Sequence, residues 1–229
     1  MFRHLFERYF DNTSPESVAS RLRLDRFERL NQFLKSLDLN KGEVIQILDI
    51  GGDDKYWKNM LKYLKDPVRV TLLNLVPYHN AMADPRIQAV VGDGRDLSPL
   101  FSDRSFDVVL SNSVIEHVGT FNDQKRMANE IRRVGKAYFV QTPNRYFPLE
   151  PHFLIPFFQF FPTNLKIYIA KTFKPGWYRN RKVEAAIEDA QQIRLLSKKE
   201  LLHLFPDGEI WEEKMVGLTK SFIVYRDAK

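Results

Sequence analysis

The chain has 229 residues, 44% hydrophobic and 28% charged, which is ordinary for a folded globular protein and excludes a disordered or fibrous chain. It contains no cysteine, so disulfides, thiolate metal sites and cysteine nucleophiles are excluded together. Its net charge of +6 is modest but uneven: six basic residues and no acid lie within residues 151–183, which points to an anionic partner or surface rather than to general coating of nucleic acid.

The amino-terminal stretch MFRHLFERYF lacks the unbroken apolar core of a signal peptide, and no run approaches the length of a spanning helix. The expectation is a cytoplasmic protein of one domain, residues 1–229, whose first forty residues form a helical segment. Over residues 14–37 the apolar positions Val18, Leu22, Phe27, Leu30, Phe33, Leu34 and Leu37 recur at helical spacing, with Pro15 where a first turn tolerates it. Residues 44–50 then form a short apolar run ending in glycines. KYWKNMLKYLK follows with helical spacing of Trp57, Met60, Leu61 and Leu64.

Strand, glycine turn and helix thus make the first unit, and the pattern repeats. VRVTLLNL, IQAVVGDG, FDVVLSNS and KAYFVQTPN read as four further strands, with the helical NDQKRMANEIRRV before the last. Near-continuous apolar strands alternating with helices describe a parallel sheet covered on both faces. At the carboxyl end, EIWEEKMVGLTKSFIVYR predicts two strands joined through Gly217, a hairpin and therefore an antiparallel strand. Residues 145–207 read as a cap over the ligand edge of the sheet. The cap opens on proline-punctuated aromatics, passes through the basic cluster and closes on SKKELLHLF, where Ser197 and Glu200 have capping-box spacing.

In an open α/β sheet the turn after the first strand lies where ligands bind. A dinucleotide wants G-x-G-x-x-G there, yet this turn reads Gly51-Gly52-Asp53-Asp54-Lys55-Tyr56. Two aspartates repel a pyrophosphate, so a cationic or zwitterionic cofactor is the better expectation.

ILDIGGDDKYW, together with VTLLNL, VVGDGRDL, FDVVLSNSVIEHVG and YFVQTPNRYFPLEPH, resembles the class I S-adenosylmethionine-dependent methyltransferases, in particular the small bacterial type with a cap after strand 5. The resemblance runs over residues 24–225, and FDVVLSNSVIEHV is its most specific piece. It implies a three-layer, Rossmann-like α/β fold with a seven-stranded, mostly parallel sheet of order 3-2-1-4-5-7-6, strand 7 antiparallel and the cap between strands 5 and 6. It implies S-adenosyl-L-methionine as cofactor. Asp49 and the backbone of Gly51 and Gly52 would border the methionine portion, Asn74 would face the ribose, Asp93 and Gly94 would meet the adenine, and Ser111 and Asn112 would line the methionine side beyond strand 4. The sequence departs from the family pattern at Asp53 and Lys55, which replace later glycines of the turn, and at Asn74, where a carboxylate is usual.

His117, after strand 4, and His152, in the cap, are the candidate catalytic bases; Glu150 stands beside the second. No metal set stands out by spacing, although residues following different strands could still assemble one. The expected reaction is direct displacement of the methyl group onto a small-molecule or lipid-like acceptor. Peripheral contact of residues 151–183 with anionic membrane is the expected surface interaction, and nucleic acid is disfavoured. A binding-only module is the alternative and a nicotinamide-dependent oxidoreductase the third reading.

Overall fold

The computed structural model describes residues 18–37, 43–64, 67–78, 84–178 and 182–227. The predicted start of the first helix at residues 14–17, and Arg179 and Arg181 of the basic cluster, lie outside these residues. Seven strands form one sheet: β1 (Ile45–Ile50), β2 (Val68–Asn74), β3 (Ile87–Val91), β4 (Phe106–Asn112), β5 (Gly135–Pro143), β6 (Glu209–Met215) and β7 (Leu218–Arg226). Their order is β3-β2-β1-β4-β5-β7-β6, parallel from β3 through β5, with β7 antiparallel to both β5 and β6. The order and the antiparallel strand are those expected from sequence. The β6–β7 hairpin turns at Val216 and Gly217, both at positive φ.

The near-continuous apolar strands are explained by cover on both faces. Alternate residues of β1 point to opposite sides. Ile45 and Ile47 join the cluster formed with α1 (Val18–Ser36) and α2 (Asp54–Met60), through Leu30, Phe33, Leu34, Leu37, Trp57 and Leu61. Leu48 and Ile50 join the opposite cluster, with Met127 and Ile131 of α3 (Phe121–Val134) and with Leu201 and Leu204 of a helix at the end of the cap. The α3 start carries a capping box of Thr120 and Asp123. The second helix is shorter than its apolar spacing predicts, stopping at Met60 and giving way to a turn over residues 61–63.

Between β5 and β6 the cap carries α4 (Thr163–Phe173), α5 (Val183–Gln192) and α6 (Lys198–Leu204), the last with both halves of the Ser197–Glu200 capping box in place. The aromatic run divides. Phe153 and Phe158 are buried with Ala170, Tyr178, Ala186 and Ala190 in the cap's own small core, whereas Phe157 and Phe160 are exposed. The prolines do interrupt helix, as only a short 3-10 turn (Phe158–Phe160) precedes α4.

Candidate active site

Parallel register aligns the carboxyl ends of β1 and β4, with Asp49 opposite Leu110 and Ile50 opposite Ser111. Beyond them opens a cavity of about 290 Å³. Its walls are the β1–α2 turn (Asp49, Gly51, Gly52, Asp53), the end of β4 (Leu110, Ser111, Asn112), Phe139 and Gln141 of β5, Tyr56 of α2, and Arg26 and Leu30 of α1.

The turn needs its glycines. Gly51 has φ +76, and a Cβ there would lie 2.5 Å from Val114 Cγ2. A Cβ on Gly52 would lie 2.2 Å from Asp49 Oδ2, in the space the carboxyl itself occupies. Bare backbone therefore frames the acid. Asp53, which the family pattern would make glycine, accepts the Lys55 N–H at 2.9 Å and caps α2, and Asp54 pairs with Lys58 on the helix surface. The two aspartates thus have local structural work beyond their charge.

Asp49 is buried and accepts a 2.7 Å hydrogen bond from Trp57 Nε1. Burial raises its pKa to about 7 against the lowering effect of the Trp57 bond, with the Asp53 charge adding to the rise. A cation placed beside it would restore the ionised form. Ser111 Oγ is buried with no hydrogen-bond partner among the described residues, an orphan that a ligand's polar atom would satisfy.

Of the eight residues expected to bind cofactor, Asp49, Gly51, Gly52, Ser111 and Asn112 line this cavity; Asn74, Asp93 and Gly94 do not. Asn74 Nδ2 donates to the Gly52 carbonyl at 3.1 Å, and Tyr78 Oη donates to the same oxygen at 2.8 Å. The amide thus braces the glycine turn, a task a carboxylate cannot perform. Asp93 is held by Arg95 through both carboxylate oxygens, and these bonds, opposed by partial burial, keep its carboxyl below the usual range. Gly94 packs closely, since a Cβ there would be 2.9 Å from Ile50 Cγ2.

Sequence reasoning passed over Arg26, Tyr56 and Gln141. Arg26 donates through Nε and Nη2 to the two oxygens of Glu213 at 2.9 and 2.8 Å, and through Nη1 to Asn112 Oδ1 at 2.6 Å. Glu213 is buried and also accepts the Ser221 hydroxyl. This pair ties α1 to β6, with Arg26 itself in the cavity wall. In the sequence Arg26 is one more charge in an amphipathic helix, and nothing there signals its partner.

The two candidate bases, 35 positions apart, are brought together: His117 Nε2 and His152 Nε2 lie 3.1 Å apart. His152 Nδ1 lies 2.7 Å from Glu150 Oε1. Burial opposes a charge on His152, but the Glu150 bond and charge, then Glu116 and Asp189, outweigh it and raise its pKa. Glu116, at the start of the same 3-10 turn as His117, is fully buried and takes the Thr142 hydroxyl at 3.0 Å. Sequence spacing singled out no metal set, yet Glu116, His117 and His152 place ligand atoms within 4.8 Å of one another.

Residues 48–138 match the family described as Methyltransferase domain. A stretch of 57 residues is 39% identical to an uncharacterized protein of Mycobacterium tuberculosis, covering 25% of this chain and 20% of that one. The chain therefore spans about a fifth of the length of the curated relatives it matches. Among solved structures, the CMeT domain of the citrinin polyketide synthase aligns over 92% of this chain and 52% of its own, at TM-score 0.59 and 14% identity. A SAM dependent methyltransferase from Archaeoglobus fulgidus aligns over 98% and 99% of the two chains, at TM-score 0.54 and 11% identity. The [4+2]-cyclase SpnF aligns over 89% of this chain and 63% of its own, at TM-score 0.52 and 15% identity. These distant likenesses establish the fold. With the strand order, they give the chain a Rossmann-like methyltransferase fold, within which residues 48–138 are similar to a methyltransferase domain.

Proposed function

We propose that this chain methylates a small-molecule or lipid-like acceptor, using S-adenosyl-L-methionine held at the carboxyl ends of β1 and β4. The observation that carries the reading is the buried Asp49 framed by Gly51 and Gly52, with the unpartnered Ser111 Oγ in the same cavity. An acid of raised pKa suits an ammonium, and a hydroxyl without a partner suits a carboxylate or amine; a pyrophosphate has no such match here. When bound, the cofactor would supply a sulfonium-activated methyl group, whose carbon would bond to the acceptor atom as its bond to sulfur breaks and a neutral thioether leaves. Asn112 and Arg26 bound the same cavity, and Asn74, Asp93 and Gly94 at the ends of β2 and β3 are assigned to the nucleoside half. Alignment supplies the larger part of the rate, and His117 or His152, while its Nε2 holds no other ligand, takes the acceptor's proton where it has one to lose.

The acceptor class rests on the cap. Phe157, Phe160, Leu165, Tyr168 and Phe173 are exposed there beside Lys166, Lys171 and Lys174, a pairing of apolar and basic groups suited to a lipid-like acceptor or to the surface that holds it. Among the described residues no helix is long and apolar enough to cross a membrane, so contact would be peripheral. A binding-only module is the alternative, because fold alone does not determine reaction: SpnF, a [4+2]-cyclase, shares this fold. Incubation with methyl-labelled cofactor and cellular lipid and small-molecule extracts tests the reading. Label transferred to an extractable product supports methylation; cofactor binding with no transfer to any fraction supports the binding-only module.

A further inference from the structure

The junction of sheet and cap brings two imidazole nitrogens beside a buried carboxylate oxygen that has no partner among the described residues. His152 presents Nδ1 to Glu150 Oε1 at 2.7 Å; Glu150 also accepts the backbone N–H groups of His152 and Phe153, at 2.9 and 2.6 Å. So engaged, Glu150 acts as an acceptor and fixes the ring with Nδ1 toward it, so that Nε2 is the nitrogen a metal would take once it displaces the proton there. That nitrogen faces His117 Nε2 at 3.1 Å. On the far side of His117, Nδ1 lies 4.0 Å from Asp189 Oδ1, so that Nε2 is the ring nitrogen turned toward His152. Two ring nitrogens thus face one point. Glu116 Oε2 is satisfied by Thr142, but Glu116 Oε1 is buried and has no partner among the described residues.

We propose that Glu116, His117 and His152 bind a divalent cation of the zinc class at the point where these three groups converge. Two imidazoles and one carboxylate are the donor set of open zinc sites, whereas magnesium and calcium favour all-oxygen shells. Ligands about 2.0–2.1 Å from a tetrahedral ion stand about 3.3 Å apart, so the imidazoles need to open only slightly from 3.1 Å and the Glu116 carboxylate to swing inward. The outer carboxylates Glu150 and Asp189 orient the rings in the way that fixes metal-bound histidines. His117 keeps 34% of its side chain exposed, so the positions left open on the ion are reached from solvent. An oxygen- or nitrogen-bearing ligand, such as a hydroxyl or carboxylate of an acceptor, is the chemical class that fits them.

The test uses tag-free full-length protein, stripped with chelator and free of S-adenosyl compounds, so that its outcome is independent of methyl transfer. Calorimetric titration with zinc sulfate should give one equivalent bound, and magnesium chloride no such site. The His203→Ala variant should bind as wild type, Glu116→Gln about 10-fold or more weakly, and the His117→Ala/His152→Ala variant should lose the site. Cobalt(II) added to the unaltered protein should give the intense visible absorption of a low-coordinate, nitrogen-ligated ion, a readout that does not depend on any variant folding. Zinc binding equal in wild type and double variant, or a cobalt spectrum no different from that in buffer, would overturn the proposal and leave the imidazoles sharing a proton.

Discussion

Asp49→Asn separates the stability of the empty fold from its capacity to bind. The carboxyl is buried, its pKa is raised from 3.8 to about 7, and among the described residues its side-chain partner is the Trp57 indole at 2.7 Å. Asparagine has nearly the same shape and keeps an acceptor for that indole, but cannot ionise. Between pH 3.8 and about 7 the unfolded chain has released this proton and the folded chain still holds it, so wild-type stability falls as pH rises. At about 1.4 kcal/mol per pH unit over about three units, the decline attributable to this group approaches 4 kcal/mol as an upper figure. The contribution is complete below pH 3.8 and gone once the pH exceeds about 7. The variant should therefore match wild type near pH 4 and exceed it by about 2–4 kcal/mol at pH 8. Urea unfolding of both proteins across this range, without cofactor, measures the difference. At the same time the variant should bind S-adenosylhomocysteine at least about tenfold more weakly, since a hydrogen bond to a charged partner is worth about 1.5–3 kcal/mol. A stability difference that does not vary with pH would refute the reasoning, because Asp49 would then ionise as an ordinary surface carboxylate.

Asn74→Asp should weaken cofactor binding, although the family pattern taken alone suggests the reverse. The aspartate loses the donor to the Gly52 carbonyl and sets a negative group against it, and calorimetry with S-adenosylhomocysteine reads the change. Arg26→Ala should destabilise the protein by about 3 kcal/mol or more in chemical denaturation, because it leaves the buried Glu213 charge without its partner. The cap should sediment with anionic vesicles at low salt and release at high salt, since each basic residue near such a surface contributes about 1 kcal/mol that salt screens. Equal binding to neutral vesicles would assign the contact to Phe157, Phe160 and their neighbours instead.

The strands were legible because the inner ones are buried on both faces, which leaves continuous apolar runs such as VTLLNL and FDVVL with few alternatives to a covered parallel sheet. Gly217 marked the hairpin for the same local reason. Asp49, Gly51 and Gly52 were legible as a strand-end glycine turn because strand, turn and helix are contiguous in sequence. The bracing of that turn by Asn74 and Tyr78 was not, being 22 and 26 residues removed. Arg26 and Glu213 lie 187 residues apart, and Glu213 reads in EIWEEKM as one of several solvated acids. The meeting of His117 with His152 depends on how the cap folds back over β4 and β5, which no local periodicity encodes. Residue type and strand end located the candidates; only tertiary contacts showed which are bound to each other.

The central claim is that the cavity at the ends of β1 and β4 holds S-adenosylmethionine, and calorimetric titration of the unmodified protein with S-adenosylhomocysteine, NAD and NADP in parallel tests it most directly. One equivalent of S-adenosylhomocysteine bound, with neither nicotinamide dinucleotide giving heat, is the result predicted by the acidic glycine turn. Binding of NAD or NADP in preference to S-adenosylhomocysteine, or no binding of any of the three, would contradict it.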